Sequence, residues 1–483
     1  MSSTAEEIAA RIAEDRSTEN DTAEETENDE AFDETVLDSY ITEDNHIAPE
    51  IVNWLRSNDQ IARVEAAKKL YRLIDKRETT SVQPIINSGL IPDIVAMISS
   101  DDLELQVPLS SVLTFLTAQS SENIILSVVE AGAIGKCVFL ASASASDRAR
   151  DNGLCGLGNI GVHSQLLGEG IIREGGLKPL LGILGDPSKH KDSHRYWAAK
   201  AIAGITYQLS PGVAGYEAAA RDLIPVLTTY IEYQQDETAG SLQSSLSALG
   251  NISEDGISID PVLEASIIPR IVQLCASKEA STRYSAIQCI GHILLGDGGT
   301  NHSIKARAIE ALLPCISSED PQDRLCACQA ASDVVASTLG QVEILMKAGF
   351  VPMLVKVTTN SEEEAETRGQ AAWALGGLAY AWGAWHQEIL ESLLEANCLE
   401  GLLLALALPD QSAVATSMQG ILALVKNSGR GKPNAIQRIE AAGGVALLRA
   451  FKLRPEPDLG EERRMAHIVL KEHLKQFSLP PRV

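Results

Sequence analysis

A small residue ends an apolar helical run again and again along this chain, and each time another apolar run begins just after it. The anchors are Gly89, Gly132, Gly176, Asp222, Ser266, Ala311, Gly349, Asn397 and Gly443, at intervals of 38–48 residues. A fixed interval of that length is the mark of a helical solenoid with two or three helices per unit. Each interval runs alike: an Ala/Leu-rich helix (NGLCGLGNI, SLSALGNIS, YSAIQCIGHIL, RGQAAWALGGLA), a short loop, a second apolar helix, the anchor, and a third helix. The anchor fits the position just past a helix end, where positive φ favours Gly or Asn. No sustained β alternation competes with this reading, so the expected fold is all-α, an α-solenoid of about nine repeats. Solenoids seldom catalyse; they present a long surface and bind something on it.

Charge divides the chain. Residues 1–45 hold 16 Asp/Glu against Arg11 and Arg16, whereas the other 438 residues carry a net charge of only −11. Low hydrophobicity and like charge predict that 1–45 is an acidic disordered tail. Residues 46–478 are expected to form the solenoid. Its last repeat, from about residue 427, departs from the pattern after Leu453, as a terminal capping repeat should. Residues 479–483 make a short C-terminal tail. No stretch of 18 apolar residues is unbroken by charge or helix breakers, so no membrane span is expected. No signal-peptide pattern and no Gly after Met1 appear. The eight cysteines fall mostly in apolar helical runs, which reads as reduced thiols in the cytoplasm or nucleus.

Few residues suggest chemistry, and each has a plainer explanation. The string GLGNIG at Gly156–Gly161 matches a dinucleotide loop, but that loop needs a preceding strand and a helix opening at the glycines. Here it lies inside a helical repeat, where small residues serve close helix packing. His190 and His194 are four apart in what reads as a loop, with no Cys or acidic cluster at zinc spacing. Cys326 and Cys328 form a lone pair without a second. No catalytic motif appears. The expectation is no enzyme, no cofactor, no metal and no small-molecule substrate. Trp382 and Trp385 flank Gly383 between two helices; the rings either pack into a longer loop or offer a partner exposed aromatics. The run Lys68, Lys69, Arg72, Lys76, Arg77 reads as a solvated helix face, because nucleic-acid binding wants a wider basic surface on a less acidic chain.

With the repeats laid out, residues 46–478 resemble importin-α, the armadillo-repeat adaptor of nuclear import. The similar stretches are QIARVEAAKKLYRLI, PIINSGLIPDIV, CGLGNIG, IGHILLGDG, ACQAASDVV, TRGQAAWALGGLA and IQRIEAAGGVALLRAF. The resemblance implies a right-handed armadillo superhelix whose concave face binds an extended basic peptide. In that family a ladder of Trp-x-x-x-Asn pairs lines the face. Trp rings take Lys/Arg stems, Asn amides bond the peptide backbone, and acids beyond them pair with the ammonium groups.

Here the paired positions read Ser111 and Phe115, Cys155 and Asn159, Lys200 and Gly204 (with Trp197 a turn earlier), and Ser247 and Asn251. They continue as Gln288 and His292, Gln329 and Asp333, and Trp373 and Gly377. Asn159, Asn251 and Trp373 keep the family's residue type. His163 stands where the family places a lysine-pairing Asp. The groove candidates that follow are Cys155, Asn159, His163, Ser247, Asn251, His292, Gln329, Asp333, Trp373 and Gly377. The family's basic importin-β-binding segment is replaced by the acidic tail. The expected function is a cytoplasmic and nuclear adaptor that binds basic cargo segments, with other transport factors as further partners. An armadillo scaffold or chaperone for basic clients, or a small-GTPase regulator, without import activity is the alternative.

Overall fold

The computed structural model describes residues 37, 39–75, 82–99, 102–209, 215–254, 261–295, 302–383, 386–427 and 435–473. Among them helices dominate, and the one β feature is an isolated bridge between Ile41 and Ile47. The chain divides into two compact units at Ile252/Ser253. Both are all-α armadillo-type arrays. Most of the acidic tail, Lys76, Arg77, Trp385 and the last ten residues lie outside the described part.

One long helix per repeat recurs along the chain, and seven of these carry the paired positions. In the first unit the long helices are α1 (Gln60–Asp75), α2 (Leu103–Thr117), α3 (Asp147–Gly161), α4 (Asp192–Tyr207) and α5 (Gly240–Glu254), whose end crosses the unit boundary. In the second they are α6 (Ala280–Leu295), α7 (Pro321–Val335), α8 (Ala365–Gly377) and α9 (Gln411–Asn427). Within each unit consecutive members stack side by side: α1 on α2, α2 on α3, α3 on α4, then α6 on α7, α7 on α8 and α8 on α9. Small residues permit the close approach. A Cβ at Gly158 would lie 3.0 Å from the Ala201 Cα, and one at Gly376 would lie 2.6 Å from the Thr416 carbonyl oxygen. Gly156, Gly158 and Gly161 of the GLGNIG string are buried inside α3 and face Cys137, Ala201 and Ile205, so the string is a packing device.

The anchors divide into two classes. Gly89, Gly132, Gly349, Asn397 and Gly443 adopt positive φ and break the chain into two helices. At the third anchor the left-handed residue is Gly175, one earlier than expected, while Gly176 is right-handed. Asp222, Ser266 and Ala311 contain no break. They lie inside the continuous helices Tyr216–Tyr233, Pro261–Leu274 and His302–Ile316. Their L side chains disfavour the left-handed turn, and the helix simply runs on. Each fused helix tolerates an internal proline, Pro225, Pro269 or Pro314.

A second periodic device is an arginine at the fourth residue of the long helices. Arg150 donates to the Ser144 carbonyl, Arg195 to those of Pro187 and His190, and Arg283 to that of Ser277. Arg324 does the same to Ser318 and Glu319, and Arg368 to Thr358. Helix C-termini and the loops after them leave carbonyls unsatisfied, and a guanidinium satisfies several at once. In the second unit the device is reinforced by carboxylates: Arg283 pairs with Asp320 and Asp323, and Arg324 with Glu363.

The N-terminal boundary differs from expectation. Leu37 and Tyr40 are buried, so the last residues of the expected tail belong to the fold. Ile47 donates its backbone N–H to Ser88 Oγ, which holds this edge on the first repeat. At the other end, Arg454 bonds the carbonyls of Leu406 and Leu408, and Arg463 bonds those of Arg454 and Glu456.

Candidate binding cleft

In the second unit α7, α8 and the turn into α9 enclose an open cleft of about 240 Å³. Gln329, Ser332 and Asp333 come from α7, Gln370 and Trp373 from α8, Asp410 from the turn, and Ser412 from the first turn of α9. The stacking brings these side chains together, because one helix per repeat projects the same face. Asp410 Oδ1 accepts from the backbone N–H groups of Ser412 and Ala413, so this carboxylate also caps α9. Trp373 is half-buried, with part of its ring facing the cleft. The lining thus brings together an indole, two carboxylates and two side-chain amides, groups that pair with cations and with peptide N–H and C=O groups.

Three of the ten groove candidates, Gln329, Asp333 and Trp373, share this cleft. Gly377 lies near it but packs on Val335, where a Cβ would sit 3.0 Å from that side chain. His292 on α6 is half-buried, and its buried Nδ1 has no hydrogen-bond partner among the described residues. Ser332, Gln370, Asp410 and Ser412 were not among the expected residues. Gln370 was readable as the residue one turn before Trp373. Asp410 and Ser412 fall at the start of the next helix, outside the paired register.

In the first unit the candidates have other duties. Cys155 and Asn159 are buried. The Asn159 amide donates to the Thr114 carbonyl and the Thr117 hydroxyl of α2. Asn251 repeats the arrangement, donating to the Ala203 carbonyl and the Thr206 hydroxyl of α4. These amides tie neighbouring helices, so neither offers its N–H groups to a peptide as the family ladder would. Ser247 donates to the Gln243 carbonyl of its own helix. His163 is half-buried, and burial holds its imidazole below the ordinary range. It is neutral where a family Asp would be anionic.

The remaining aromatic and histidine readings are also placed. Trp382 is half-buried in the wide turn Leu378–Trp382, its indole N–H donates to the Val335 carbonyl at 2.9 Å, and its ring tilts over His386. Trp382 is thus packed. His194 is not in a loop but in the first turn of α4, where it is 2% exposed. Among the described residues no group of His, Cys, Asp and Glu is arranged to hold a metal.

No protein-family model matches the chain. Among curated proteins, "Importin subunit alpha-1b" of Oryza sativa subsp. japonica is 25% identical over 429 residues, which is 86% of this chain and 77% of that protein. "Importin subunit alpha-1a" of the same organism is 25% identical over 65% of this chain and 59% of its own length. "Importin subunit alpha-8" of Arabidopsis thaliana is 24% identical over 87% of this chain and 92% of its own length. Among solved structures, an engineered protein of the Northeast Structural Genomics Consortium superposes with a TM-score of 0.66 at 20% identity, covering 88% of this chain and 98% of that one. That likeness supports the repeat fold alone. The chain is importin-α-like and divergent.

Proposed function

We propose that this chain is a protein-binding armadillo adaptor of the nuclear import kind, and that it takes up an extended basic segment of a partner protein. The observation that carries the reading is the cleft in the second unit, where the Trp373 ring and the Asp333 and Asp410 carboxylates converge. A lysine or arginine stem lies along the indole while its charge pairs with the carboxylates. Gln329 and Gln370 both donate and accept, as a peptide backbone requires. The relatives' names point to import, which supports a reading of this chain as acting between cytoplasm and nucleus. The acidic sequence of residues 1–45 does not resemble a basic importin-β ligand.

A second reading, a scaffold or chaperone for basic clients without import activity, is favoured by one observation: Asn159 and Asn251 are engaged between helices. Fluorescence anisotropy with a labelled Lys/Arg-rich peptide tests the cleft. The full chain is expected to bind it, and Trp373→Ala to weaken binding roughly 3- to 30-fold, the range of a cation–π contact. Asp333→Asn, which keeps the shape and removes a charge, weakens it as well. No binding at about 100 μM would sink the reading, since that is weaker than a specific complex needs. Capture of the chain's partners would separate import factors from a single stoichiometric basic client.

A further inference from the structure

In the first unit two aromatic pairs, Tyr40 with Trp54 and Tyr196 with Trp197, already carry cations, and those cations belong to the chain itself. Lys200 occupies the paired position of α4 where the ladder calls for an aromatic residue. Its Nζ donates to Tyr196 Oη at 2.7 Å, and it lies 5.1 Å from the centre of the Tyr196 ring and 5.5 Å from that of Trp197. On α1 the Lys69 Nζ lies 4.4 Å from the Tyr40 ring centre and 5.7 Å from that of Trp54. All four distances fall inside the roughly 6 Å reach of a cation–π contact. Among the described residues no cation lies over Trp373 in the second unit.

Each lysine is half-buried, and beneath them Tyr40 and Trp197 are buried, at 5% and 8% exposure. Glu104 pairs with Lys68, the residue before Lys69, and on α1 Asp75 accepts from the Tyr71 hydroxyl. A basic segment arriving at the first unit therefore meets occupied rings and like charge.

We propose that Lys69 and Lys200 are specificity-determining residues that stand in for a ligand's own lysines, fill the aromatic seats of the first unit, and confine basic-segment binding to the second. This rests on the reading of the Trp373 cleft as the basic-segment site. Tethered side chains hold their seats at an effective concentration that a free peptide cannot match. Their charge repels a cation that approaches the same ring.

Isothermal titration of the full chain with a Lys/Arg-rich peptide tests this. The variants are Lys69→Ala, Lys200→Ala and their combination, each made alone and in a background in which Asp333→Asn and Trp373→Ala silence the cleft. Unchanged helical circular dichroism certifies the fold of each. The wild type is expected to bind one equivalent and the combined Ala variant two. In the silenced background the Ala variants bind and the wild-type lysines do not. Lys200→Met keeps the seat filled without charge; it is expected to open no new site, and binding equal to Lys200→Ala would overturn the filling argument. Folded Ala variants that add no binding in either background overturn the proposal while leaving the cleft reading intact. Binding that appears only when the lysines are removed, and that ignores Asp333 and Trp373, refutes the cleft reading and supports the lysine assignment. The two single Ala variants lie on different helices, so misfolding of one leaves the other as the test.

Discussion

At the scale of the residue, His194 shows how burial overrides a motif. Its spacing from His190 suggested paired ligands, but the ring is packed between α3 and α4, and its pKa is lowered from the ordinary value. Burial is the first cause and the positive Arg150 the second; His190 and Lys191 act the same way, and Asp147, 3.3 Å from Nε2, opposes them. The folded state therefore prefers the neutral ring. Above the unfolded value near 6.5 the ring is neutral in both states and this preference has no effect on stability. As pH falls through that value the unfolded chain takes up a proton that the folded chain resists, so stability declines toward the lower folded pKa. Thermal unfolding at pH 7.5 and 5.5 is expected to show a drop that His194→Gln reduces. An equal drop in both proteins would remove His194 as the cause. Asn159 marks another limit of residue-by-residue reading. Its type matches the family ladder, yet its amide bonds Thr114 and Thr117, two residues whose role no spacing rule foretells.

Elements are where the sequence reads best and where its one systematic error lies. The period located every repeat because each must bury an apolar face on its neighbours, and that demand recurs at a fixed spacing. What the period does not fix is whether a given anchor breaks the helix. Glycine and asparagine adopt the left-handed turn at low cost, whereas Asp222, Ser266 and Ala311 find the continuing helix cheaper. The same motif therefore answers to opposite substitutions. Gly349 has φ of 90°, and a Cβ there would meet nothing within 4 Å. Gly349→Ala is expected to cost about 1–2 kcal/mol from backbone strain alone. At Ala311, inside the continuous helix His302–Ile316, a change to glycine is expected to cost about 1 kcal/mol through lost helix propensity. Urea midpoints of the two variants measure this, and a stabilising Gly349→Ala would contradict the left-handed assignment. The recurring arginine at the fourth helix position was equally legible. It went unread because its partners are loop carbonyls, which sequence patterns do not display. Asp410 escaped for a related reason: it works from a turn, and the paired register describes helices.

For the molecule as a whole, the scarcity of bulky aromatics has a chemical consequence. Aromatic content is 4%, and small residues, cysteine among them, fill the space between close helices. All eight cysteines are buried. Burial pushes the Cys137 and Cys328 thiols up to about 12 and those of Cys315 and Cys326 up to about 11. Cys275, Cys289 and Cys398 are raised as well, for the same first cause. The thiolate is the reactive species, so at pH 8 these groups are both unreachable and protonated. Titration of the native chain with an aromatic disulfide reagent is expected to show no rapid reaction, with all eight thiols reacting in denaturant. Cys137 and Cys155 report on the first unit and the other six on the second. A solenoid is stabilised by nearest-neighbour interfaces, without one central core, so partial opening under mild denaturant should expose one of these sets as a group. Simultaneous appearance of all eight at every denaturant concentration would show instead that the two units unfold as one. A fast-reacting thiol in the native chain would mean that the helices around it open locally without denaturant.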